Sequence, residues 1–507
     1  MADTKREIER KFEFTSGAAG RRGVPDLTGT AGIAAVLDQG TVDLDAVYYD
    51  TPDQRLAADG LTLRRRTGGA DAGWHLKLPV SPGVRDEVRA DLADTVPRAL
   101  TALLRSRVRD GALLPRMRLL SSRKVLHLMD GDGALLAELS TDAVRAEADD
   151  STAAWTEVEV ELADGVDPAL LDAVEKRFRK AGLAVSAAPS KLARALSETG
   201  SAPAPRPGSD PADDTAGAHV LAYLREQRDA LVAQDPAVRR GLPDSVHQMR
   251  VATRRLRSAF RSYRRVLDRG ITDPLGEELR WLAAELGVDR DQEVLLERLR
   301  TRLGELPPTL VHGPVRGRLR TWNTSRRSGS RRRALAALDG ERYLALLDAL
   351  DALLQDPPLR PAAAKPAAKV LPKAVLADHA RLSGRIDEAL ALAPGGDRDL
   401  ALHRARKAAK RARYAAEAAT GALGAPAKRQ AKAMKSVQTL LGDHQDSVVA
   451  REALRGLALQ ASGAREPSFT WGVLHGREEA LAERRERELP GVWAKASDPA
   501  VRAGLRG

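Results

Sequence analysis

Apolar and polar residues alternate with a period of two over eight short runs in the first third of the chain: 5–14, 45–50, 61–67, 73–79, 84–92, 123–130, 134–142 and 155–162. Gly, Pro and Asp turns such as Asp130-Gly131-Asp132-Gly133 separate them, so this half is predicted to be mainly antiparallel β. Two helices are expected within it, Thr95–Arg109 and Pro168–Ala181, the second with Asp167 as N-cap and Gly182 as stop, and a third near Ser190–Glu198. From about residue 218 the period becomes helical and stays so nearly to the end, with breaks at Gly241–Pro243, Pro307–Pro308, Pro357–Pro372 and Pro394–Gly396. The Pro/Ala/Lys stretch 357–373 reads as a connector between two sub-bundles. Residues 199–217 combine Pro, Gly, Ser and Asp with almost nothing apolar, a composition that behaves as a flexible linker. The expected organisation is therefore a β domain over 4–198, a linker over 199–217 and a helical domain over 218–495.

An internal repeat supports two sub-bundles. The run His247-Gln-Met-Arg-Val-Ala-Thr-Arg-Arg-Leu-Arg257 aligns with His403-Arg-Ala-Arg-Lys-Ala-Ala-Lys-Arg-Ala-Arg413, and Leu286–Gln292 aligns with Leu441–Ser447 at nearly the same offset. Two matches at one spacing predict a duplicated helical unit.

Charge divides the chain in the same place. Residues 1–200 hold 28 basic and 32 acidic side chains, and the remainder 54 and 38, so the helical part is the cationic one and suits a polyanion. The 507 residues include no cysteine, which excludes thiolate metal sites and disulfides. The start reads directly into a charged strand and no window approaches a membrane span, so a soluble cytoplasmic protein with no membrane partner is expected.

In the first run Glu7, Glu9 and Lys11 share one face of a strand. The same parity brings in Arg64 and Arg66, then Lys77, Arg85 and Glu87, then Glu157, Glu159 and Glu161. Three alternating glutamates cannot face a dry core. If these faces line one closed sheet, the lining offers cations for phosphates and carboxylates for a hard divalent metal.

The Glu7–Lys11 run, Tyr48-Tyr49-Asp50-Thr51, the LTLRRR strand, WHLKLP, and the closing EVEVEL with SKLARAL resemble, in order, the CYTH superfamily of triphosphate tunnel metalloenzymes over residues 4–197. The resemblance implies an eight-stranded antiparallel β-barrel tunnel that binds a triphosphate with Lys11, Arg64, Arg66, Lys77, Arg85, Arg123 and Lys191. It implies Mg²⁺ or Mn²⁺ managed by Glu7, Glu9, Asp142, Glu157 and Glu159, with Glu7, Glu9 and Lys11 at the chemistry. Arg89, Arg118 and Lys124 stand as alternatives to Arg85 and Arg123, since a slip of one residue exchanges the faces of a strand.

In the helical part His247, Arg250, Arg254, Arg257, Arg261 and Arg264 fall on one stripe, His403, Arg406, Lys410 and Arg413 repeat it, and Lys428, Lys432 and Lys435 form a third. Like charges at these spacings repel, so an extended anion is the natural counterpart. With only 3% aromatic residues there are few platforms for stacking bases, which argues against nucleic acid. Neither His247 nor His403 has a second imidazole or carboxylate at i+4, so they are read as hydrogen-bonding or phosphate-contacting residues, not metal ligands.

These segments resemble the CHAD domain over residues 218–495. That resemblance implies an all-α fold of two four-helix bundles related by internal duplication, which binds inorganic polyphosphate through its basic residues. The expected activity is metal-dependent hydrolysis of tripolyphosphate or short polyphosphate beside a polyphosphate-binding module, with association to polyphosphate granules. Hydrolysis of thiamine triphosphate or a nucleotide, adenylyl cyclase activity, and a non-catalytic granule-binding role are the rivals.

Overall fold

The computed structural model describes residues 3–15, 23–148, 151–203, 211 and 213–505, apart from the side chains at 288–291, 325–328 and 330. It divides into two compact units, Met1–Pro207 and Gly208–Gly507.

The first unit is built on antiparallel strands β1 (Asp3–Phe14), β2 (Ala35–Asp50), β3 (Thr62–Thr67), β4 (Gly73–Ser81), β5 (Val84–Ala90), β6 (Leu114–Met129), β7 (Leu135–Ala148) and β8 (Ser151–Leu162). They run in the order β5-β4-β3-β2-β6-β7-β8-β1, and β5 pairs again with β1, so the sheet returns on itself as a ring-like tunnel. A three-residue strand, β9 (Leu183–Val185), adds to β1. Strands β2 and β6 begin well before the stretches that alternation marks, and pair over most of their length.

The dry cores lie on the outside of this ring. Helices α1 (Arg55–Ala58), α2 (Arg98–Val108), α3 (Ala169–Lys180) and α4 (Lys191–Glu198) complete the unit. On the outer face of β1 and β8, Phe12, Val158 and Val160 pack against Val174 and Phe178 of α3, with the Phe12 and Phe178 rings edge to face at 4.7 Å. Leu63, Trp74, Leu76 and Val88 pack in the same way on Leu100 and Leu104 of α2. Outward positions are therefore apolar, which leaves the inward positions to the charged residues of the same strands.

Helix α4 is the exception, because it packs on the inner face. Leu192, Ala195 and Leu196 meet Ala46, Met117, Leu119, Val144 and Trp155. Ser190 caps this helix by accepting a hydrogen bond from the Ala193 amide. The apolar plug carries Lys191, the first residue of α4, into the charged stretch of the lumen.

The second unit is helical: α5 (Ala216–Arg240), α6 (Ser245–Ser262), α7 (Arg269–Glu285), α8 (Gly287–Gly304), α9 (Val315–Asp339), α10 (Glu341–Gln355), α11 (Ala367–Ala391), α12 (Gly396–Ala418), α13 (Thr420–Leu423), α14 (Ala425–Gly463) and α15 (Phe469–Ala496). One apolar core joins α5, α6, α7 and α10, and a second joins α11, α12, α14 and α15. The repeat is visible in the order of elements, with α6 matching α12. Leu286-Gly287 lies at the junction of α7 and α8, whereas Leu441-Gly442 lies inside the unbroken α14.

Two boundaries differ from those expected. Helix α5 starts at Ala216, inside the stretch read as linker, because Thr215 caps it and the Ala216 and Gly217 amides donate to Lys365 and Ala363. Residues 204–210 and 212 of that stretch lie outside the described residues. The connector expected over 357–373 ends at Pro366, and Pro372 sits in the second turn of α11.

Candidate functional site

Side chains from β1 through β8 and from the start of α4 surround a cavity of about 240 Å³ within the tunnel. Glu7, Glu9, Lys11, Arg64, Arg66, Lys77, Arg85, Arg123, Glu159 and Lys191 all line it. Asp142 and Glu157 sit behind this lining, both buried. Of the register alternatives, Arg89 also lines the cavity. Arg118 instead pairs with Asp45 at 2.6 Å and Lys124 with Asp38 at 3.0 Å, both on the exposed side.

Three carboxylates converge at the foot of the cavity. The Lys191 ammonium lies 2.7 Å from Glu157 Oε1, 2.7 Å from Glu159 Oε2 and 3.1 Å from Asp142 Oδ2. Arg123 donates twice to Asp142, at 2.8 and 2.9 Å, and the Trp155 indole donates to Glu157 at 2.7 Å. Lys11 contacts both Glu159 and Glu9. Burial works against ionisation of Glu159, but Lys11 and Lys191 overrule it and hold its carboxyl well below the usual range. Burial likewise opposes the charge on Lys191, yet Glu159, Asp142 and Glu157 hold its ammonium well above the ordinary value.

Towards the β1–β5 seam, Lys77 bonds Glu7 at 2.6 Å. Burial pushes the Glu7 carboxyl up to about 7, with Lys77 pulling against it and Glu87 and Glu161 adding to it. Glu9 is also raised, by burial and then by the adjacent Glu159. Arg64, 3.6 Å from Glu87, reaches the Tyr48 hydroxyl, and Arg66 pairs with Asp71. Burial and then repulsion from Arg64 and Arg123 bring Arg66 down to about 9, so Arg66, unlike Arg64 and Arg123, is crowded beyond what the nearby carboxylates compensate.

Lys5, Asp71 and Glu138 line the cavity too, and were not singled out from the sequence. Lys5 shares the parity of Glu7 on β1, so a signal existed. Asp71 comes from the β3–β4 turn, where alternation carries no information.

In the second unit the structure brings part of the predicted set together. Helices α6 and α12 place Arg250 and Arg254 within electrostatic reach of Arg406 and Lys410, and Asp446 of α14 is the one acid acting on Lys410 among them. Burial, then Arg406 and Arg254, lower the Lys410 ammonium to about 7. The duplication places a guanidinium beside each repeat glycine: Arg250 donates to the Gly287 carbonyl at 3.3 Å, and Arg406 lies next to Gly442. His403 adjoins this group, and burial followed by repulsion from Lys407 lowers its pKa.

Other members of the stripes go elsewhere. His247 lines a separate cavity of about 560 Å³ beside Arg331. Arg413 pairs with Glu417 at 2.6 Å, and Arg257 lies near Arg261, Glu277 and Arg280. Arg264 falls outside the stripe, because α6 ends at Ser262. A helix of limited length bends a linear pattern away from any single ligand.

A family model for the CYTH domain matches residues 5–196, and one for the CHAD domain matches residues 222–455. An uncharacterised Mycobacterium tuberculosis protein, Rv2226, is 41% identical over 520 residues, covering 98% of this chain and 97% of that protein. Among solved structures, the CHAD domain from the plant Ricinus communis shares 27% identity, covering 59% of this chain and 93% of that one at a TM-score of 0.44. HpAC1 from Hippeastrum, described as an adenylyl cyclase candidate with a dominant triphosphatase activity, shares 20% identity, covering 38% and 96% at a TM-score of 0.26. No helix among the described residues is long and apolar enough to cross a membrane.

Proposed function

The chain belongs to the family that joins a CYTH domain to a CHAD domain, and from that premise we propose that its tunnel hydrolyses inorganic triphosphate and short polyphosphate with a divalent metal, while its helical unit binds inorganic polyphosphate. The observation that carries this reading is the lining of the tunnel cavity. Among the described residues it is charged almost throughout, with Tyr48 as its single aromatic side chain and Leu192 as its single aliphatic one. A nucleobase or a thiazolium ring needs an apolar or stacking surface, whereas a chain of phosphates needs only the cations.

Arg64, Arg66, Lys77 and Arg123 would meet the nonbridging oxygens and neutralise the charge that spreads over them as the phosphoanhydride bond breaks. Lys11 and Lys191, fixed by Glu159, would hold the terminal phosphoryl group in place. A water oxygen attacks that phosphorus, the bridging P–O bond breaks, and the remaining phosphate leaves with the bond's electron pair. Glu7, with its pKa near neutrality, suits acceptance of the water's proton at Oε1, since Oε2 is engaged by Lys77.

The donor set fits a hard divalent cation. Carboxylate oxygens of Asp142, Glu157 and Glu159 lie within 4.8 Å of one another, and Glu9 Oε2 is buried without a hydrogen-bond partner. These four residues would hold Mg²⁺ or Mn²⁺, which when bound supplies further neutralisation of phosphate oxygens.

The test is phosphate release from tripolyphosphate, ATP, thiamine triphosphate and long-chain polyphosphate with each metal. Preference for tripolyphosphate is the expected result. Cyclic nucleotide formation from ATP, or no phosphate release from any substrate, would overturn it.

A further inference from the structure

Helix α14 carries a row of lysines that neither the tunnel nor the α6–α12 cluster uses. Lys428, Lys432 and Lys435 are exposed, and among the described residues no carboxylate lies within ion-pair distance of them. The helix segment 425–442 contains no Asp or Glu at all, in a chain that is 30% charged. Lysines at i,i+4 and i,i+3 repel one another, so this face is disfavoured unless something anionic lies along it.

The direction of the face adds the second half of the argument. At 100° per residue, positions 428, 432, 435, 439, 442 and 446 fall within about 40° of one line along the helix. The far end of that line is where α14 meets the basic cluster: Arg406 lies over Gly442, and its guanidinium is 3.7 Å from Asp446. Between the two ends the face stays uncharged, with Thr439 exposed on it. Residues 428 to 442 span about 21 Å at a rise of 1.5 Å each.

We propose that Lys428, Lys432 and Lys435 continue the anion path out of the Arg250–Arg254–Arg406–Lys410 cluster, so that a long polyphosphate chain lies along α14 for a further stretch of about 20 Å. This rests on the helical unit binding polyphosphate, and it adds a length requirement to that reading. Tripolyphosphate seated at the cluster is too short to bridge the roughly 10 Å from Gly442 to Lys435, whereas a long chain engages both ends and gains from each contact by counterion release.

The experiment compares the full chain with K428Q/K432Q/K435Q and with K428R/K432R/K435R, titrating polyphosphate of roughly 100 units, intermediate chain lengths and tripolyphosphate without divalent metal, from 50 to 300 mM salt. For the glutamine variant the long-chain affinity is expected to fall about tenfold or more at low salt, and the slope of log K against log salt to flatten by about 2. The loss should shrink as the oligomer shortens, and the arginine variant should bind as the unaltered chain does. Equal long-chain affinity and slope for the glutamine variant, with its circular dichroism unchanged, would overturn this inference alone. Absence of long-chain binding by the unaltered protein would overturn the parent reading and this one together.

Discussion

Lys410 offers a test in which the magnitude comes directly from the structure. Burial and the facing Arg406, Arg254 and Arg250 lower its ammonium to about 7, and only Asp446 acts in the opposite direction among these groups. A polyphosphate chain in this cluster would restore the charge, so binding above neutrality must draw in a proton. With a free-state pKa of about 7, Lys410 is about half neutral at pH 7 and about 90% neutral at pH 8, so proton uptake should rise from about 0.5 to about 0.9 per site. The sign follows from linkage: the bound state holds more protons, so affinity falls as pH rises, by about fivefold between pH 7 and pH 8. The uptake is read at pH 8 and above, where His403, whose pKa is lowered below the ordinary histidine value, contributes least. Calorimetric titration of long polyphosphate in buffers of different ionisation enthalpy reads the uptake. Lys410→Arg, which stays charged, should bind with no uptake and a flat profile from pH 7 to 9. Uptake that persists unchanged in that variant, or none in the unaltered chain at pH 8, would refute the assignment.

Glu159→Gln removes the carboxylate that both Lys11 and Lys191 contact, and should lower tripolyphosphate turnover at least about 100-fold, or about 3 kcal/mol of barrier, in a phosphate-release assay, while the protein is still retained on immobilised long-chain polyphosphate. Chelation of divalent metal should abolish turnover yet leave the helical circular dichroism unchanged, since Asp142, Glu157 and Glu159, the ligands proposed for the catalytic metal, lie in the strand unit. The two repeat glycines should respond differently to alanine: a Cβ at Gly287 would meet the Arg250 guanidinium at 3.1 Å and one at Gly442 would meet Arg406 at 3.5 Å, so Gly287→Ala should weaken polyphosphate binding by a fewfold and Gly442→Ala should not, as fluorescence titration would show. Phe178→Ala, at a fully buried ring packed on Phe12, should cost about 3–5 kcal/mol in urea unfolding of the tunnel unit without changing which substrate is preferred.

Much of this protein is written locally. Period-two alternation located every strand of the ring, because an inward Glu7 and an outward Ile8 follow from the pleat alone, and the helical stretches after 218 follow from a different period. Alternation also separated Arg123 from Lys124 as far as face, though not which face was inner. That choice needed ring closure between β1 and β5, a pairing of residues some 80 positions apart that no local pattern encodes. The length of β2 and β6 was hidden because their outer segments alternate weakly and are ordered by pairing with each other.

The helical unit shows the same division. Neither end of the cation stripes was legible: α6 stops at Ser262, Glu417 claims Arg413, and Arg250, Arg254, Arg406 and Lys410 converge with His403 beside them. Alanines 405, 408, 409 and 412 let α12 pack closely on α11, α14 and α15, while Ala415 and Ala416 seat it in the core that also holds α6. The sequence by itself determined which side chains are charged, which of them share a face of each strand and helix, and that one helical unit occurs twice. The tertiary structure decided which of those charges meet, because electrostatic crowding depends on distances and burial set by long-range packing, and a one-dimensional period carries neither.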